Sequence, residues 1–138
     1  MTKGKSDPAT PWALRPIMVI PVRHDQQRYD TVGDYQTTDG GVSVLISKTS
    51  DWRHFVLVAI HELVEWSLTV QRRIPEATID AFDIAFETNR RPGNEDEPGH
   101  DPRSPYRHEH RFAEVIERLL ATELGVDWDE YDRAIMDL

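Results

Sequence analysis

The stretch FVLVAIHELVEWSLTV, residues 55 to 70, constrains this chain more than any other feature. Its first half is apolar on every side of a helical wheel, so a helix there has to lie buried between two layers of other structure. Ser50 or Asp51 stands where an N-cap is needed to open it. The same stretch puts His61, Glu62 and Glu65 on that buried helix. Each of the three costs several kcal/mol of desolvation unless it is paired or bound to a metal.

The chain before this helix reads as sheet. Residues 17–23, 28–37 and 42–48 are rich in Val, Ile, Tyr and Thr, and they are punctuated by His24-Asp25-Gln26 and by Thr38-Asp39-Gly40-Gly41. Asp-Gly supplies the positive φ of a tight hairpin, so the pattern predicts a three-stranded antiparallel meander, with Pro21 at an edge or bulge. The chain after it reads as helix. Pro75 opens a second helix to about Thr88, with Ile79, Phe82 and Phe86 on one face. Residues 90–105 hold four prolines and no periodicity and predict a long loop of the kind that often serves function. Ser104-Pro105 then caps and opens a third helix running through Leu124, closed by Gly125, with Phe112, Val115, Ile116, Leu119 and Leu120 as its core stripe. A short last helix packs through Trp128, Tyr131 and Ile135. The layout is α+β: a small sheet followed by three to four helices, forming one domain over residues 17–138 after a flexible arm over residues 1–16.

Composition narrows the chemistry. With no cysteine, the chain has no disulfides, thiolate zinc sites, iron–sulfur clusters or cysteine nucleophile, and any metal must be held by nitrogen and oxygen. The net charge of −9 is concentrated after residue 73; it disfavours nucleic acid as a partner and suits a cation. Apolar runs are too short to span a bilayer, and the chain is expected in the cytoplasm. No P-loop, dinucleotide fingerprint or nucleophile elbow is present.

Three groups of ligand-type residues stand out. His61 and Glu65, four residues apart, lie one above the other on a helix and can converge on one ion, with Glu62 beside it. The competing reading is a hydrogen-bonded core histidine, with the glutamates in solvent or paired with Arg72, Arg73 or an arginine of the third helix. Asp80, Asp83 and Glu87 share a stripe on the second helix, and Asp83, next to the Phe82/Phe86 face, can turn inward. His108 and His110 open the third helix after a loop containing His100 and Asp101. Two residues apart on a helix point about 200° apart, so one of the two is the candidate third ligand. His108 lies on the predicted core stripe and His110 beside Ala113, Glu114 and Glu117, and the choice stays open, with Asp101 and Glu109 behind.

HELVE on a buried helix after a small sheet resembles the active-site helix of zincin-like metallopeptidases, whose usual motif is HExxH with a further ligand on a later helix. The resemblance implies a zincin-like fold with His61 as zinc ligand, Glu62 as general base and Glu65 at the second ligand position. HELVE followed by EPGHDPRSPYRHEHRFA and ATELGVDWDEYD also resembles small proteins of tailed phages and prophages, which would place the chain in a host cytoplasm. Glu62-x-x-Glu65 followed by Asp80-x-x-Asp83 is similar to the paired-carboxylate pattern of all-α nucleoside triphosphate pyrophosphatases, which implies Mg²⁺. The expectation is a zinc-binding protein, with Mg²⁺ or Mn²⁺ as alternative ions. Its activity would be metal-dependent hydrolysis of a protein or small-molecule substrate. The alternative is a non-enzymatic accessory protein with a structural metal or a buried polar cluster.

Overall fold

The computed structural model describes residues 15–138, so most of the expected arm lies outside the described residues. Three strands, β1 (Ile17–Val22), β2 (Gly33–Thr38) and β3 (Gly41–Ser47), are followed by four α-helices: α1 (Trp52–Gln71), α2 (Glu76–Thr88), α3 (Arg107–Glu123) and α4 (Trp128–Met136). The α+β layout is as the sequence predicts. Short 3₁₀ turns stand at His24–Gln26 and Pro98–His100.

The sheet departs from the predicted meander. Its order is β1-β3-β2, with β2 antiparallel to β3 and β1 parallel to β3, from Ile17 opposite Val42 to Val22 opposite Ser47. β3 is the strand that can be central, because Val42, Val44 and Ile46 are all buried, whereas Ile17, Met18 and Val19 of β1 remain exposed at an edge that also accommodates Pro21. The hairpin turn falls on Asp39-Gly40 as expected, but the positive φ is one residue later: Gly41 has φ +128°, and a Cβ there would meet Pro16 O at 2.2 Å. Residues 28–32 are not strand; they form the approach to β2.

α1 lies between layers, as its apolar sequence requires. Asp51 is the N-cap and accepts from the Arg53 amide. Leu57, Val58, Ala59, Trp66 and Thr69 are buried, with the β2/β3 sheet on one side and α3 on the other. α3 begins at Arg107 with Tyr106 as N-cap, two residues later than Ser104-Pro105 predicted. Its predicted core stripe holds only in part: Leu120 packs against the core and Ile116 is half-buried, but the other three residues face outward. Phe112, Val115 and Leu119 are 47%, 54% and 62% exposed, while Glu109, His110, Ala113, Glu117 and Ala121 form the buried face against α1. Among the described residues no helix is long and apolar enough to cross a membrane.

Candidate metal centre

The inverted helix α3 is what builds the site. Ala113, fully buried, lets α3 approach α1, and the polar residues on either side of it then face the HELVE segment. One turn of α1 places His61 above Glu65, as the i, i+4 spacing demands, and α3 brings His110 to both. The three ligand atoms form a near-equilateral triangle. His61 Nε2 is 3.1 Å from Glu65 Oε2 and 3.1 Å from His110 Nδ1, and His110 Nδ1 is 2.9 Å from the same Glu65 oxygen. All three residues are buried.

That triangle is not a set of three hydrogen bonds. A ring nitrogen carries at most one proton, directed in the ring plane, and cannot aim it at two partners at once. Donors about 2.0–2.1 Å from a shared Zn²⁺, at angles between octahedral and tetrahedral, stand roughly 2.8–3.4 Å apart, which is the spacing seen. The outer groups set the tautomer accordingly. Glu117 Oε1 accepts from His61 Nδ1 at 2.8 Å, which leaves Nε2 with its lone pair toward the triangle. Glu117 is held in turn by the Tyr131 hydroxyl, which donates to Oε2 at 2.6 Å. Glu97 Oε2 stands 2.8 Å from His110 Nε2 but off the N–H axis, an ion-pair contact rather than an aligned hydrogen bond.

The protonation preferences follow from burial set against these partners. Burial opposes charge on His61, but the hydrogen bonds to Glu117 and Glu65 outweigh it and hold its pKa well above the ordinary value. Burial likewise opposes charge on His110, and Glu65 and Glu97 push it up to about 9. The same histidines hold Glu65 below the usual carboxylate range against the opposing effect of burial. Glu62 behaves oppositely: burial, then the neighbouring Glu65 charge, raise it well above that range. Its side chain lies on the backbone of β2, where a Cβ on Gly33 would come within 2.7 Å of Glu62 Cγ and Oε1. The triangle thus favours a bound cation, whether proton or metal.

The centre lines a cleft of about 410 Å³ walled by β2, α1, α2, α3, α4 and the loop containing Glu97 and His100. The remaining predicted residues divide. Asp83 is buried in the same cleft, but its oxygens accept from Tyr106 at 2.6 Å and Tyr29 at 3.1 Å, and burial pushes its pKa up to about 7. Asp80 is bound by the Arg28 guanidinium, which also forks onto the buried Asp34, and Glu87 is bound by Arg90. The Glu62/Glu65/Asp80/Asp83 set therefore shares a cleft, with Glu65, Asp80 and Asp83 each engaged by different partners. His108 is exposed, and Asp101 is turned to Arg103 and does not line the cleft, so of the four third-ligand candidates it is His110 that meets His61 and Glu65. Glu109 is buried on α3 but pairs with Arg72 at 2.6 Å.

Sequence reasoning missed the tyrosines. All four in the chain donate to carboxylates of this cleft: Tyr29 and Tyr106 to Asp83, Tyr35 to Glu65 at 3.3 Å, and Tyr131 to Glu117. It also missed Glu97, Glu117 as the partner of His61, and the two glycines on which site residues rest. The one usable signal was the spacing of Glu117 seven residues after His110, two turns along the same face. Comparison with protein-family models, with curated proteins and with solved structures finds no match to this chain.

Proposed function

We propose that the cleft is the active site of a metal-dependent hydrolase, with one tightly held divalent ion, zinc by the chemistry of its donors, on His61 Nε2, His110 Nδ1 and Glu65. The observation that supports this is the triangle of mutual contacts, in which Glu117 fixes the His61 imidazole through its other nitrogen, an arrangement that orients a ligand for an ion. Two nitrogens and one oxygen are a zinc-type donor set, and three protein ligands leave coordination positions toward the cleft. When bound, such an ion brings the pKa of water toward neutrality and polarises a carbonyl or phosphoryl oxygen.

The chain's own residues do the rest. Glu62, adjacent to the triangle and lining the cleft, takes the proton from the attacking water and returns it to the leaving group. Burial and the neighbouring Glu65 charge raise its proton affinity, which suits a group that holds the proton between those two transfers. The hydroxyl of Tyr35 holds Glu65 Oε1, so that Oε2 remains the ligand atom.

Tag-free protein purified without chelator is expected to retain one equivalent of zinc, measured by plasma mass spectrometry, and His61→Ala to lose it. Glu62→Gln is expected to keep the metal and lose turnover on ester and amide substrates by at least about 100-fold, the usual contribution of a positioned base. Protein that arrives metal-free and takes up no zinc on titration would leave the triangle as a proton-sharing network and remove the hydrolase reading. Full metal with undiminished turnover in Glu62→Gln would remove Glu62 as base.

A further inference from the structure

The second group of ligand-type residues is built around the other nitrogen of His110. Glu97, His100 and His110 each offer a ligand atom, all within 4.8 Å of one another. The 3₁₀ turn Pro98–His100 makes this possible. Its bond from His100 N to Glu97 O, 3.0 Å, closes an i, i+3 turn, and in 3₁₀ geometry residues three apart eclipse, so the side chains of Glu97 and His100 fall on one side. Between them Gly99 packs flat on the His110 ring, so closely that a Cβ there would lie 2.3 Å from His110 Cγ. The turn thereby wraps its two ligand residues around the imidazole.

Two features point to an occupant. His110 Nε2 is buried and has no hydrogen-bond partner among the described residues, although Glu97 Oε2 is only 2.8 Å away. Two atoms at that distance, with the N–H direction not aimed at the oxygen, are placed as co-ligands of a third body rather than as donor and acceptor. His100 repeats the arrangement seen at His61: its Nε2 contacts the Glu114 carboxylate at 2.7 Å, which orients the ring and leaves Nδ1 as the free ligand atom. Its ring meets that of His110 edge to face, centroids 4.7 Å apart.

We propose a second divalent-metal site on Glu97, His100 and His110 Nε2, so that His110 links two ions, one through each ring nitrogen. It rests on the first site only in sharing that residue. Filling both requires the imidazole to give up its last N–H proton, which leaves to solvent as the second ion binds. Glu97 and His100 are exposed where His61 and Glu65 are buried, so the second ion is the weaker and exchangeable one.

The experiment is titration of chelator-treated full chain with Zn²⁺, read by calorimetry and by metal content after gel filtration. Wild type is expected to bind two equivalents, and Glu97→Gln and His100→Ala, both at exposed positions that should not disturb folding, to bind one. His61→Ala is expected to lose the tight equivalent and keep the weaker. Loading with Cu²⁺ tests the bridge: two ions joined through His110 give a spin-coupled spectrum with less intensity than two isolated ions, and His100→Ala restores a single uncoupled signal. Wild type saturating at one equivalent, Glu97→Gln and His100→Ala still binding two, or two equivalents without coupling would each overturn the proposal. If His61→Ala leaves wild-type binding intact while His100→Ala lowers it, the first site fails and the second stands.

Discussion

At the scale of single residues, the ligands are less informative than what holds them. Glu117 takes a hydrogen bond on each oxygen, from His61 Nδ1 and from the Tyr131 hydroxyl, so its carboxylate has one orientation. Tyr131→Phe leaves the ring in place and frees Glu117 to rotate. It is expected to weaken zinc binding by about 10-fold, and Glu117→Gln by about 10–100-fold, the range for outer partners of a ligand histidine. Competition titration against a chromogenic chelator reads both; affinity unchanged in Glu117→Gln would show that His61 needs no orienting partner. Gly99→Ala is the steric counterpart. Its methyl would lie 2.5 Å from His110 Nδ1, so the ring must move off the triangle. The expected result is loss of tight zinc in a protein whose circular dichroism is unchanged, because Gly99 lies outside the α-helices and strands.

At the scale of elements, two helices end in the same motif with different residues at its critical position. After α3, Gly125 N bonds to Thr122 O and Val126 N to Ala121 O, with Gly125 at φ +67°. After α1, Arg73 N bonds to Val70 O and Ile74 N to Thr69 O, with Arg73 at φ +57°. Both are Schellman ends, in which glycine is the unstrained choice. Gly125→Ala is expected to cost about 1 kcal/mol. Arg73→Gly is expected to gain roughly 0.5 kcal/mol, less because a cation near the helix C-terminus is lost and the unfolded chain gains freedom. Urea denaturation at fixed metal checks both signs. α3 gives the stronger contrast: Leu119→Ser, on the exposed stripe, should change stability by no more than about 0.5 kcal/mol. Ala113→Leu, at a fully buried contact with α1, should cost roughly 1–3 kcal/mol or more. The opposite order would return the apolar stripe to the core.

That helix also explains what could be read from the sequence and what could not. The HELVE pair was legible because i, i+4 geometry is local, and α1 was legible because its apolar surface admits one kind of placement. Strand existence was legible, but β1 pairing with β3 was not, since local alternation carries no information about which neighbour a strand takes. On α3 the usual inference, apolar in and polar out, fails because the buried polar residues are partners of one another and of α1. His110 is inside for the reason that Phe112 is outside. His108 and His110 could be separated only by knowing that inversion. The tyrosines and Glu97 come from five separate segments, and nothing in their spacing ties them together.

For the whole molecule the consequence is linkage between folding, metal and protons. Several ionisable groups buried in one cleft make the metal-free chain depend on protons for what an ion otherwise supplies. Binding zinc to the folded state alone stabilises it by about 2.7 kcal/mol at a hundred times Kd, so chelator should lower Tm measurably and zinc should restore it. The pH dependence has a definite sign. Partners hold His61 well above its ordinary pKa and His110 at about 9, so near neutral pH the metal-free centre carries protons that zinc must displace. Zinc affinity should therefore rise as pH rises from 6 through 9, and the Tm difference between zinc-loaded and chelated protein should widen over the same interval. For the chelated protein the sign is reversed for these two groups: a histidine whose folded pKa is raised contributes its stability in full below the unfolded value and loses it as pH passes the folded one. Calorimetry of both forms at pH 6, 7, 8 and 9 separates the two slopes. A Tm difference independent of pH would mean that zinc displaces no protons, and hence that the histidines of the triangle are not its ligands.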